Sequence, residues 1–273
     1  MKGVDCPYCS AVSFVVFARG ERQFFRCSDC RLVFAYPPRN IEYSDYADRY
    51  PCEWRGEERQ GVFSEALSFL DSSGIGNLLD IGCAGGALMS QAASSGWDVW
   101  GVDPALSKSA WKEPSLSRKM VENMEQLPEI SFDSVLIINV LDQVANPWRL
   151  LAEASGHMHQ GGALVIRIPN TRFHRKMLHI ATRLPFKAGA FLDSMLITHD
   201  YGLEPPFLNR VLSDSGFESI CFYPSSLSKE GVYDRRSDCR FCWHFIKALL
   251  SMFSLVGIGH LVSPSLFVVA RKS

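Results

Sequence analysis

Several things are scarce in this sequence, and each scarcity narrows its class. Excess charge is nearly absent: 28 basic against 29 acidic residues leave a formal net charge of −1. No chain-wide field pulls it toward nucleic acid, and only a local basic patch could do so. No internal repeat and no low-complexity tract occurs, so repeat arrays and disordered tails find no support. The opening run Met1-Lys2-Gly3-Val4-Asp5-Cys6 lacks the apolar core of a secretory signal. The nine cysteines are an odd count in a chain without an export signal, which fits reduced thiols in a cytosol. A long uncharged run occurs from Ala248 to Val269, near the length of a membrane span. Pro264, His260 and several serines interrupt it, and Ser265–Ala270 has strand character, so a buried helix followed by a core strand is the expected reading.

What is present is a folded chain of 273 residues, 47% hydrophobic and 21% charged, long enough for one large domain or a domain plus a small module. Cys6-Pro7-Tyr8-Cys9 and Cys27-Ser28-Asp29-Cys30 are two C-x-x-C knuckles separated by 17 residues. Four thiolates at that spacing can close a tetrahedron around zinc and leave no position open for water, which makes the site structural. Phe24, Phe25 and Val33 look like its small core, and so short a module needs the metal to fold. Such ribbons also bind nucleic acid or proteins, and Arg22, Arg26 and Arg31 are the basic residues an RNA would use. Cys239-Arg240-Phe241-Cys242 is a third pair with no partner pair nearby, and Cys52, Cys83 and Cys221 are single thiols.

Pro37-Pro38 ends the module, since paired prolines continue neither a helix nor an inner strand. A connector carrying Tyr43, Tyr46 and Tyr50 follows, then a helix from about Gly61 to Leu70. Strands are expected at Asn77–Ile81, Val99–Val102, Ser134–Asn139 and Ala163–Ile168, with helices at Ala87–Ser95 and Trp148–Met158. The strands are continuous apolar runs, such as Val135-Leu136-Ile137-Ile138, as when helices cover both faces of a parallel sheet. Strand–helix alternation predicts a doubly wound α/β domain. The divisions read as a zinc ribbon at 1–36, a connector at 37–60 and the α/β domain at 61–273, with an insertion at about 226–262.

In Leu78-Leu79-Asp80-Ile81-Gly82-Cys83-Ala84-Gly85-Gly86 a strand turns into a helix. Small residues let the backbone approach a ligand, and the helix start offers free N–H groups. The next strand ends in Asp103, a carboxylate placed to accept both hydroxyl hydrogens of a ribose. The loop does not spell the G-x-G-x-x-G of nicotinamide binding, and Asp80 suits a cofactor with a cationic amino-acid end.

These segments resemble the class I S-adenosylmethionine-dependent methyltransferases. Leu78–Gly86 is similar to their first motif with Ala84 replacing a glycine, and Gly96–Pro104 to the second strand and its acidic residue. Glu125-Gln126-Leu127-Pro128 before Phe132-Asp133-Ser134-Val135, then Gln160-Gly161-Gly162-Ala163 and Pro169-Asn170, follow in the family's order. The resemblance covers about half the chain. It implies a Rossmann-like seven-stranded sheet whose last, antiparallel strand is Ser265–Ala270. It also implies that Asp80, Gly82, Ala84 and Gly86 line the methionine part of S-adenosylmethionine. Asp103 would bind the ribose, Pro104, Asn123 and Met124 would flank the adenine, and Asn139 would end the fourth strand at the reaction centre. Asp142-Gln143 stands where relatives carry an acidic–His pair. The ribbon and tyrosine segment are similar to those of a bacterial subgroup associated with sugar modification.

On the substrate side, Arg167, Arg172, Arg175, Lys176, Arg183 and Lys187 occur with His174 and His179, and no acidic residue lies between Ala154 and Leu192. Either a cationic rim for an anionic metabolite or a solvated amphipathic helix fits this pattern. His199, in Thr198-His199-Asp200-Tyr201, is the candidate base for a hydroxyl, with a role in positioning the loop as the alternative. The apolar insertion, with 244–262 as its most apolar part, could cover the substrate, form a homodimer contact or rest on the inner face of a membrane. The functional expectation is therefore a cytoplasmic O-methyltransferase of a small anionic metabolite, such as a nucleotide-linked or lipid-linked sugar. The alternatives are an RNA methyltransferase using the ribbon, and a non-catalytic S-adenosylmethionine-binding protein.

Overall fold

A computed structural model describes residues 3–38, 56, 59–70, 75–106, 112–183, 185, 196–197, 199–225 and 263–273. The tyrosines of the connector, the 226–262 insertion, the Cys239/Cys242 pair, Cys52, Lys187 and Thr198 lie outside the described residues. Among the described residues no helix is long and apolar enough to cross a membrane.

The chain begins with four antiparallel strands, β1 (Val4–Asp5), β2 (Val12–Arg19), β3 (Arg22–Cys27) and β4 (Val33–Tyr36). The two cysteine knuckles occupy the β1–β2 and β3–β4 connections and are built alike. Cys6 N–H donates to Ala11 O and Cys27 N–H to Leu32 O, each at 2.9 Å. The residue after each second cysteine, Ser10 and Arg31, turns left-handed at φ 60° and 68°. Phe24, Phe25 and Val33 are buried, as their pattern predicted.

Next comes α1 (Gln60–Ser68), which buries Val62, Phe63, Ala66 and Leu67. The alternation then runs β5 (Asn77–Ile81), α2 (Ala87–Ser94), β6 (Asp98–Val102), β7 (Met120–Val121), β8 (Phe132–Ile138), α3 (Pro147–Gly156), β9 (Met158–Pro169) and α4 (Thr171–Ala181). Local chemistry sets several starts. Asn146 caps α3 by accepting from Arg149 N–H at 3.0 Å with Pro147 in the first turn, and Asn170 caps α4 through Phe173 N–H at 3.3 Å. β9 starts five residues earlier than its apolar run suggests. Its pairing with β8 slips between Phe132 and Ser134, so Gly161-Gly162 forms an irregularity inside the strand rather than a turn before it. The chain ends with β10 (Tyr201–Gly202), α5 (Pro205–Asp214), β11 (Phe217–Pro224) and β12 (Ser265–Lys272).

Seven strands form one sheet in the order β11-β12-β9-β8-β5-β6-β7. β5, β6, β7, β8 and β9 are parallel, and β12 runs antiparallel to both β9 and β11. The inner strands are buried on both faces, with Leu78, Leu79, Val135, Leu136, Ile137, Val165 and Ile166 at 0% exposure. Strand order reverses between β5 and β8, and a ligand crevice is expected at the carboxyl ends of such a pair.

The ribbon is fastened to this domain by pairing, packing and charge. β10 completes its sheet, with Tyr201 opposite Phe34 and Gly202 opposite Val33. Tyr8 packs edge-on against Trp148 and Phe207, with centroids 5.4 and 5.2 Å away, and donates its hydroxyl to Asp214. Arg22 pairs with Asp200, Arg210 with Asp29 at 2.7 Å, and buried Glu204 receives both Arg26 at 3.0 Å and Arg175 at 2.9 Å. Cys6, Cys27, Cys30, Phe25 and Phe34 share one apolar cluster with β8 and β9.

Candidate active site

The parallel register brings three loop residues side by side. Ile81 lies opposite Val102 on one flank and Ile137 on the other. Gly82, Asp103 and Asn139 therefore leave the sheet at the same edge. Gly82 has φ +80°, and a Cβ there would overlap Cγ2 of Val140. Its N–H and that of Cys83 donate to Val102 O at 2.7 and 3.2 Å, which folds the loop back over β6. Ala84 adopts φ 47° and Gly86 φ 92°, so with Gly82 the loop turns left-handed three times before α2 begins. Asp103 accepts from Ala84 N–H at 3.0 Å on one carboxylate oxygen and from Ala105 N–H at 2.9 Å on the other. Each oxygen keeps lone-pair capacity for a hydroxyl.

A cavity of about 880 Å³ opens at this edge. Gly82, Ala84, Asp103, Pro104, Asn123, Met124 and Asn139 all line it. Asp80 lies below the loop, in a small adjoining pocket that shares Arg59, Gly82, Ala84 and Ile138 with the cavity. Gly86 lines neither; its N–H bonds to Cys83 O at 2.9 Å and it starts α2. Asp80 is 2% exposed, and burial, with the Asp103 charge second, pushes its carboxyl up to about 8. Burial raises Asp103 as well, against the two N–H groups that favour its charged form. Residues 54–221 match the family described as a methyltransferase domain.

The chain belongs to the class I S-adenosylmethionine-dependent methyltransferases.

Solved structures agree on the fold. A chain of the complex between the Haloferax volcanii Trm112 methyltransferase activator and a methyltransferase is 13% identical, with a TM-score of 0.53, over 85% of this chain and 97% of that one. A Galdieria sulphuraria protein assigned as a sarcosine dimethylglycine methyltransferase is 15% identical, with a TM-score of 0.52, over 84% and 99%. Phosphoethanolamine N-methyltransferase 2 of Haemonchus contortus, in complex with S-adenosylmethionine, is 15% identical, with a TM-score of 0.50, over 94% and 70%. No curated protein matches in sequence.

The methyltransferase can hold its cofactor with groups already aimed at the cavity. Asp103 suits a ribose, Pro104, Asn123 and Met124 line the same cavity where an adenine could lie, and the Gly82–Gly86 loop is open enough for backbone to approach a methionine end. Sequence reasoning missed Arg59, which lines both the cavity and the Asp80 pocket. It sits at the N-cap of α1, and no motif marks it.

His199 is not among the residues that line this cavity. It bonds through Nδ1 to Asp142 in a separate crevice walled by Phe17, Phe24 and Val33 of the ribbon. His174, expected on the rim, is 2% exposed. It donates from Nε2 to Pro264 O at 2.9 Å and accepts Ile197 N–H on Nδ1 at 3.4 Å, and burial lowers it to about 4, which keeps it neutral. Arg175 is taken by Glu204, and Arg167 is buried inside β9, so neither serves a rim. Arg172, Lys176, His179 and Arg183 are exposed.

The sulfurs of Cys6, Cys9, Cys27 and Cys30 all lie within 4.8 Å of one another, with Cys6–Cys30 at 3.6 Å and Cys9–Cys27 at 3.5 Å. These separations are far too long for disulfides. A zinc tetrahedron with bonds of about 2.3 Å has edges of about 3.8 Å, so the donor set fits that ion. Burial pushes the Cys6 thiol up to about 11 and raises Cys30 too, a cost that a bound dication removes.

Proposed function

We propose that this methyltransferase transfers its methyl group to an oxygen of a small anionic metabolite, such as a nucleotide-linked or lipid-linked sugar, and that the four cysteines hold one structural zinc. The observation that carries the substrate class is the outer face of α4. That helix starts at the carboxyl end of β9, on the ligand side of the sheet. Positions 172, 176, 179 and 183 fall on one face at helical spacing, all are basic and exposed, and none has an acidic partner among the described residues. Leu178, His174 and Ala181 occupy the buried face. A stripe of one sign on the ligand side of the sheet raises the local concentration of anions.

The cofactor supplies an electrophilic methyl on a sulfonium with a good leaving group. The chain's part is alignment: the loop and Asp103 fix the donor, and the cavity wall at Gln143 and Val144 is left for the acceptor. His199 is best read as a tether. Its bond to Asp142 ties the segment that carries β10 to the loop after β8, and so ties the ribbon to the catalytic domain. Of the ribbon's basic residues, Arg22 and Arg26 pair with Asp200 and Glu204, which leaves exposed Arg31 for any RNA contact.

Release of S-adenosylhomocysteine tests the substrate class across nucleoside-diphosphate sugars, small carboxylates and amines. The reading expects turnover with anionic hydroxyl compounds and a KM raised at least tenfold in an Arg172→Glu/Lys176→Glu variant. Turnover confined to amines would overturn it, as would RNA binding that falls steeply with salt.

A further inference from the structure

Among the described residues Arg167 is a guanidinium without a counter-ion. It leaves the carboxyl end of β9 into the protein, at 7% exposure. Its Nε donates to Ser225 Oγ at 2.8 Å and its Nη1 to Asn139 Oδ1 at 2.5 Å, both neutral acceptors. Among the described residues no carboxylate forms an ion pair with it; Asp142 and Glu65 act only at a distance, and Arg59 opposes them. Burial lowers it to about 10, which leaves it charged at neutral pH. A buried cation held by neutral groups costs stability, so its retention calls for a function.

The chemistry of the contact supplies one. Arginine has donors only, so the Asn139 amide must turn its oxygen toward Arg167 and its Nδ2 away. The Asn139 backbone is fixed as well. Its N–H donates to Arg167 O at 2.8 Å, its O accepts from Gln143 Nε2 at 2.7 Å, and φ is 59°. Nδ2 has no protein partner among the described residues, and Asn139 lines the cavity. The next residue, Val140, packs on Gly82, which sets this amide beside the loop that takes the methionine end of the cofactor. Arg59 lines the same cavity.

We propose that Arg167 is a positioning residue. It locks the Asn139 amide so that Nδ2 donates into the cavity to an oxygen of the cofactor's amino-acid carboxylate. The inference rests on the cofactor assignment and is independent of the methyl acceptor.

Calorimetric titration of the zinc-replete protein with S-adenosylhomocysteine, and with methylthioadenosine, which lacks the amino-acid end, tests it. Asn139→Gly removes the amide without straining φ. Arg167→Met and Asn139→Gly should each weaken S-adenosylhomocysteine about tenfold and leave methylthioadenosine unchanged. The double variant should be no weaker than the worse single one, because Arg167 acts through Asn139. Arg167→Lys, which can still donate to Oδ1, should recover most of the loss. If Arg167→Met does not fold, Asn139→Asp serves: it turns a carboxylate oxygen into the cavity and should weaken S-adenosylhomocysteine more than Asn139→Gly does. Additive losses, equal losses for both ligands, or unchanged affinity would overturn the proposal while the wild type still binds both. A wild type that binds neither ligand overturns the cofactor assignment and this proposal with it.

Discussion

Raising the pH should weaken the ligand-free protein through Asp80. Its carboxyl sits at 2% exposure under the cofactor loop, and burial and the Asp103 charge push it from an ordinary 3.8 to about 8. In the unfolded chain it ionises at the ordinary value. From about pH 4 to about pH 8 the folded state therefore binds one more proton than the unfolded state, and stability falls as pH rises through that window. Each unit is worth about 1.4 kcal/mol, so Asp80 removes up to about 4 kcal/mol between about pH 5 and about pH 8. Asp80→Asn keeps the shape and cannot ionise. Urea denaturation of both proteins across that range, followed by circular dichroism, should show the variant's advantage growing with pH toward that magnitude. A difference that stays flat would refute the reasoning, since it would mean that Asp80 is already ionised in the fold. The cationic amino group of the cofactor should then draw the proton off. Titration in two buffers of different ionisation enthalpy at about pH 6.5 should register close to one proton released on binding by the wild type and none by the variant.

Metal analysis should find one zinc per chain, lost in Cys27→Ser/Cys30→Ser together with the ribbon's folding; a folded, metal-free wild type would reject the site. Glu204→Gln removes the charge shared by Arg26 and Arg175 and should cost about 2 kcal/mol, discounted because both guanidinium groups are partly exposed; thermal unfolding measures it. His199→Gln should lower the melting temperature and leave kcat within about threefold, whereas a general base would cost about a hundredfold or more.

The sheet was legible because its inner strands are buried on both faces and so appear as unbroken apolar runs. Val135–Ile138 and Leu266–Val269 could hardly be anything else. Strands of two residues carry no such signal, which is why β7 and β10 went unseen. β10 matters, since with it the ribbon's sheet gains a strand from far along the chain. The cavity wall was readable from small residues and one carboxylate at strand ends, features that backbone approach and ribose binding would require. Charge was the least readable quantity. Arg167, Arg175 and His174 look like neighbours of Arg172 in the sequence, yet one is sealed in β9, one is paired with Glu204 and one is buried and neutral. Which face a side chain takes was visible only once α4 had a partner to pack on. His199 shows the same limit, for its crevice depends on ribbon residues far away in the chain.

A crystal structure of the protein with S-adenosylhomocysteine tests the central claim most directly. The ribose hydroxyls should lie on Asp103, the adenine against Pro104, Asn123 and Met124, and the amino-acid end beside Gly82, Ala84 and Asn139. An empty cavity at saturating ligand, or a ribose held away from Asp103, would contradict it.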